Sequence, residues 1–203
     1  MKDFRFTTLP ELLAGGFTGG FTFLMRHAER VPIRSREDVL EAGLTESGWE
    51  AARELGRHLV GRTRIGMVYS SPIGRCLDTA QALLQAALGG QVSGERSAVQ
   101  LRWWLFSPFL QAPDGWSPNS SAVDIYHQQR MVARVPHHRL DMMLSRLKTP
   151  ADSESIHLYV AHDTTVILAL ARLLGAGQVD SADYPGFMQG IALRREAGGL
   201  RLL

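Results

Sequence analysis

Six side chains in this sequence are of types that work together on phosphorus. Arg26, His27 and Arg30 stand in one short run, Arg75 follows Ser70-Ser71-Pro72, and His162 precedes Asp163. Guanidinium groups present several donors in fixed planes and are always charged, which suits a tetrahedral oxyanion. A neutral imidazole has a nitrogen lone pair that can attack phosphorus. A carboxyl group at a helix start can protonate a leaving alkoxide. Together these are the parts for phosphoryl transfer without a metal. Each residue also has a plainer role open to it. His27 could be a strand-end histidine satisfied by a carbonyl, Arg75 a solvated helix residue, and Asp163 a helix N-cap.

The chemistry needs these residues at one place, so the elements around them matter. Phe21 to Met25 is short, apolar and preceded by glycines, and reads as a buried strand. Ile65 to Tyr69 and Ile156 to Ala161 read the same way, and Val99 to Leu101 as a shorter strand. Thr45 to Gly61 reads as a helix, with Thr45 as N-cap and Trp49, Ala52, Leu55 and Leu59 on one face. Ser71-Pro72 is expected to start a second helix, closed by Gly89-Gly90. Asp163 to Leu174 is expected as a third, capped by Asp163 and ended by Gly175. Ser120 to Lys148 has helical character broken near Pro136, and the residues around Gly198-Gly199 suggest a terminal hairpin. Strands alternating with helices argue for an α/β fold with a largely parallel sheet. In such a sheet the three motifs lie at the C-terminal strand ends and converge on one edge.

Composition narrows the possibilities. The chain has 203 residues, 45% of them hydrophobic, enough for one ordinary domain with its own core. A net charge of +2 gives no overall basic field, so no nucleic-acid partner is expected. The single cysteine, Cys76, excludes a disulfide framework and a multi-thiolate zinc site, and reads as a small buried apolar residue. His137-His138 are adjacent and diverge on a helix, so they read as surface. No metal and no cofactor are expected. No apolar run is long enough to span a bilayer, and no signal peptide is evident, so a cytoplasmic protein without membrane association is expected.

The motifs also resemble a family. Arg26-His27-x-x-Arg30-x-Pro32 with His162-Asp163 resembles the signature pair of the histidine phosphatase superfamily, in particular its acid phosphatase and phytase branch. Leu44-Thr45-x-x-Gly48, Ser70-Ser71-Pro72-x-x-Arg75-x-x-x-Thr79-Ala80 and Tyr159 to Thr165 extend the likeness, in the family's order. The resemblance implies a three-layer α/β/α sandwich of the phosphoglycerate mutase type, here one domain over 1–203 with a small cap within 89–150. It implies that His27 becomes phosphohistidine and that Arg26, Arg30, Arg75 and His162 hold the phosphoryl oxygens. Asp163 is implied to give a proton to the leaving group and to take one from the attacking water. The glutamate that serves the mutase branch has no counterpart in Val99 to Trp104. Ala28 departs from the family's usual glycine.

The sequence thus leads to a metal-independent phosphomonoesterase acting on a small phosphate monoester. A mutase and a non-catalytic phosphate-ester binding module on the same fold are the rival readings. Trp103 to Asn119, with three tryptophans, two phenylalanines and Asp114 as its one charged residue, reads as an ordered loop whose aromatic residues either form core for an irregular segment or lean over the pocket. In the second case it would favour an apolar, aromatic or modest sugar leaving group over a polyphosphorylated one.

Overall fold

The computed structural model describes residues 5–35, 38–89, 101–103, 137–175 and 184–203. They form a seven-stranded sheet. Its strands are β1 (Thr7–Thr8), β2 (Phe21–Arg26), β3 (Arg64–Ser70), β4 (Leu101–Trp103), β5 (Ser155–Ala161), β6 (Gln189–Glu196) and β7 (Gly199–Leu202). The helices are α1 (Leu9–Ala14), α2 (Asp38–Glu41), α3 (Glu46–Leu59), α4 (Gly74–Ala87), α5 (His137–Arg146) and α6 (Asp163–Leu174). The strand order is β1-β6-β2-β5-β3-β4, with β7 also paired to β6. From β2 to β4 every pairing is parallel, while β6 runs antiparallel to β2, β1 and β7. The sheet is therefore mixed and mostly parallel, and it is open. The C-terminal hairpin expected around Gly198-Gly199 is β6–β7.

The continuous apolar run of β2 follows from burial on both faces. Phe21, Phe23 and Met25 pack with Leu55, Leu59, Leu83 and Ala80 of α3 and α4 on one side. Leu24 points the other way, into a cluster with Tyr159, Leu140 and Met143 of α5 and the apolar length of α6. That alternation makes three layers, and it explains why α6 is apolar almost all round. Gly56 lets α3 and α4 cross closely, because a Cβ there would lie 2.2 Å from the Leu83 carbonyl.

Three local expectations are revised. The helix after β3 begins at Gly74, not at Ser71. The Ser71 amide still donates to the Val160 carbonyl (3.0 Å), continuing the parallel ladder, and its hydroxyl is used elsewhere. At α6 the N-cap position is His162, and Asp163 is the first helical residue. The strand expected over 99–101 is Leu101–Trp103, ending level with Ser70. The N-terminal segment also holds a short helix that was not expected from its sequence. Thr8 and Glu11 cap it reciprocally, the Thr8 amide donating to Glu11 Oε2 at 2.7 Å. The rest of the expected aromatic loop, 104–119, and most of the expected cap lie outside the described residues. Among the described residues no helix is long and apolar enough to cross a membrane.

Candidate active site

Strand register brings the motifs together. Arg26 is paired with Ala161, and Ser70 with Val160, so β2, β5 and β3 end side by side. His27 extends this ladder by one residue, its amide donating to the Ala161 carbonyl at 2.9 Å. The next amide, of Ala28, donates to Thr79 Oγ1 of α4 (3.1 Å), and that hydroxyl donates to the Arg75 carbonyl (2.7 Å). One threonine thus ties the histidine loop to the turn of helix carrying Arg75.

The far side of the loop is fixed by α3. Thr45 caps this helix, accepting from the Gly48 amide at 3.0 Å, and its own amide donates to the Glu29 carbonyl. A Cβ at Gly48 would lie 2.1 Å from the Glu29 carbonyl oxygen, so only glycine lets the helix start approach this loop. Arg30 then bridges back to Leu44.

His27 is almost fully buried, at 2% exposure. Its Nδ1 lies 2.7 Å from the Ala28 carbonyl, which can only accept, so Nδ1 carries the proton. Nε2 is then the nitrogen with the lone pair, and it accepts from Arg75 Nε at 3.1 Å. Burial, then the Arg75 charge, pushes the His27 pKa down to about 2, so the ring is neutral at ordinary pH.

His162 faces His27 with ring centroids 5.6 Å apart. The guanidinium of Arg75 donates to its Nδ1 (3.4 Å), which leaves Nε2–H to donate to Ser71 Oγ (3.1 Å). Burial and Arg75 hold His162 well below the usual imidazole range. Cys76 is buried behind it, and burial raises its thiol to about 12, so it is unreactive packing as expected.

Arg26 pairs with Asp163, Nη2 to Oδ2 at 3.3 Å, and donates from Nη1 to the Pro185 carbonyl at 2.8 Å. Its Nε–H is buried and has no partner among the described residues. Such an orphan donor costs roughly 1–3 kcal/mol and is rare without a use. Arg30 lies close enough to Arg75, Asp163 and Arg26 to feel their charges. All six residues singled out from the sequence therefore meet at one edge. Three participants were not singled out for the site: Ser71, placed at a helix cap; the Pro185 carbonyl; and Phe187, whose ring lies 4.1 Å from the Arg26 guanidinium carbon. Among the described residues no group of three or more His, Cys, Asp or Glu is arranged to hold a metal ion.

The buried neutral state of His27 gives stability a pH dependence. An unfolded chain protonates this imidazole near pH 6.5, whereas the folded one does so near pH 2. The unfolded state therefore binds more protons between these values, and stability falls as pH drops below 6.5. At pH 5.5 His27 alone accounts for a loss of about 1.4 kcal/mol, and His162 adds in the same direction. The melting temperature is expected to fall by several degrees from pH 7.5 to 5.5, with a smaller fall in His27→Gln. Scanning calorimetry at both pH values checks this, and an unchanged or higher value at pH 5.5 would contradict the buried neutral ring.

Comparison with known proteins agrees with this architecture. Residues 22–96 match the model of the histidine phosphatase superfamily (branch 1). A phosphoglycerate mutase from Bacillus anthracis superposes with a TM-score of 0.60 at 15% identity, over 93% of this chain and 94% of that one. A mycobacterial glucosyl-3-phosphoglycerate phosphatase, solved with inorganic phosphate, gives 0.55 at 18%, over 90% and 95%. A phosphoserine phosphatase from Entamoeba histolytica, solved with 3-phosphoglyceric acid, gives 0.51 at 18%, over 90% and 94%. At these identities the structures establish the fold. No curated protein matches this chain in sequence. Over residues 22–96 the chain is similar to the histidine phosphatase superfamily, and its fold is phosphoglycerate mutase-like. The matching model is that of branch 1, so the narrower resemblance to the acid phosphatase branch gains no support from it.

Proposed function

We propose that this protein is a phosphoric monoester hydrolase that works through phosphohistidine at His27. One observation carries the reading: a buried, neutral imidazole whose Nδ1–H is held by a carbonyl, so that Nε2 turns its lone pair toward Arg75 among cationic groups. The phosphoryl oxygens of a monoester take the N–H donors of Arg75, Arg26, Arg30 and His162, which frees the Nε2 lone pair. Nε2 attacks phosphorus and the ester P–O bond breaks. A protonated Asp163 gives its proton to the departing oxygen, and the alcohol leaves. Water then attacks the phosphoryl group, Asp163 takes its proton, and the P–N bond breaks to release phosphate and neutral His27. The guanidinium groups neutralise the charge on the phosphoryl oxygens throughout, the role a metal plays in other phosphatases.

Hydrolysis of p-nitrophenyl phosphate and a panel of phosphomonoesters in the presence of EDTA tests this. Turnover that survives chelation and is inhibited by vanadate is expected. No turnover on the panel, or loss on chelation restored by magnesium or zinc, would overturn the reading. Activity that depends on a bisphosphate primer would point to a mutase instead.

A further inference from the structure

The described part of the site is lined by guanidiniums, imidazoles and a carboxylate, with one apolar exception. Phe187 has 37% of its surface exposed, and its ring lies over Arg26 and 5.8 Å from the ring of His27. A lone exposed phenylalanine is ordinary, but the way this one is held is not. It sits on a tight turn between Gly186 and Gln189. The Gln189 amide donates to the Gly186 carbonyl (3.2 Å), and the Gln189 side chain accepts from the Gly186 amide (2.8 Å). Met188 next to it adopts φ +62°, the only non-glycine with positive φ among the described residues. That conformation is held by the Met188 amide, which reaches the His27 carbonyl (3.4 Å). Arg26 bonds to Pro185 one step before the turn. The turn is therefore clamped to the end of β2 on both sides of Phe187, and it presents the ring at the site.

Displacement at phosphorus is in line, so the leaving group departs on the side away from His27 Nε2, where Asp163 must reach its oxygen. Arg26 touches both partners: Asp163 through Nη2 and Phe187 through its face. Asp163 and the Phe187 ring are therefore both direct neighbours of one guanidinium. We propose that Phe187 determines leaving-group specificity, by packing on the alcohol portion of the monoester and favouring alcohols with a flat apolar surface, such as aryl phosphates. This role deepens the phosphatase reading and rests on it.

The test compares wild type with Phe187→Ala, Phe187→Leu and Phe187→Tyr on 2-naphthyl phosphate and on phosphoserine, using the variant-to-wild-type ratio for each substrate. Phe187→Ala is expected to lower kcat/KM about five- to ten-fold on the naphthyl ester, through KM more than kcat, and by less than two-fold on phosphoserine. Phe187→Tyr should restore the preference for the naphthyl ester, and Phe187→Leu only part of it. Inhibition by inorganic phosphate should stay within two-fold, showing that Arg26 and the phosphate pocket are intact. An equal fall on both substrates would make the residue a structural support for Arg26 and overturn the inference, as would an unchanged naphthyl ester. Either of these results leaves the phosphatase reading standing. A wild-type protein inactive on both esters and the wider panel would overturn that reading, and the inference with it.

Discussion

Replacing His27 by alanine is expected to lower turnover at least about a thousand-fold while the protein stays folded. Both halves come from the same geometry. The backbone at His27 is anchored independently of its side chain, through its own amide to Ala161 and through the Ala28 amide to Thr79. Removing the ring thus leaves the strand end in place. It deletes the imidazole at the end of β2 whose bare Nε2 faces Arg75. His162 also turns a bare nitrogen to Arg75, but it stands at the N-cap of α6 with its other nitrogen bonded to Ser71, so it does not occupy the position that His27 vacates. Brief incubation with a radiolabelled monoester, quenched in base to protect a phosphoramidate, should label wild type and not the variant. A His27→Ala protein with near-normal turnover would dismiss the nucleophile assignment. One that is inactive but unfolded by circular dichroism would require His27→Gln, which retains more of the side-chain volume.

Much of this site is legible in the sequence, for identifiable reasons. β2 announces itself because it is buried on both faces, which leaves only apolar residues from Phe23 to Met25. The pattern Leu44-Thr45-x-x-Gly48 is visible as a resemblance, and the structure supplies its cause. Thr45 caps the Gly48 amide, and Gly48 itself has no room for a Cβ against Glu29. Convergence of Arg26, Arg75 and His162 follows from parallel strands ending in register. Ser71 misleads because Ser-Pro before a helical run has the same local preference as a helix start. What decides its role is a long-range bond, from the Ser71 amide to Val160, that no window of sequence contains. Phe187 gives no signal at all. It lies between a proline and the last long strand, its neighbours match no motif, and its importance comes from β6 returning antiparallel beside β2. The antiparallel partner therefore delivers a residue that reasoning from parallel strand ends cannot reach.

Replacing Asp163 by asparagine should slow the reaction in a way that depends on the leaving group. Asparagine keeps the size of the side chain and its carbonyl can still accept from the Thr164 amide, as Oδ1 does now at 2.7 Å, so α6 should start unchanged. What is lost is the proton, because an amide cannot serve as an acid near neutral pH. Positioned proton transfer contributes about a hundred- to ten-thousand-fold, and its worth grows as the departing oxygen becomes more basic. An alkyl ester such as glycerol phosphate is expected to lose most of that factor, since its alkoxide cannot leave unprotonated. p-Nitrophenyl phosphate, whose phenolate is stable without a proton, should lose far less in the first step. The second step suffers whatever the ester, because water attacking the phosphohistidine no longer has a carboxylate to take its proton. With the nitrophenyl ester, Asp163→Asn should therefore release nitrophenol in a burst equal to the enzyme concentration, followed by slow turnover. The competing role for Asp163 is to orient Arg26 through their 3.3 Å pair. If that were its only part, all esters would fall by one common factor and no burst would be seen.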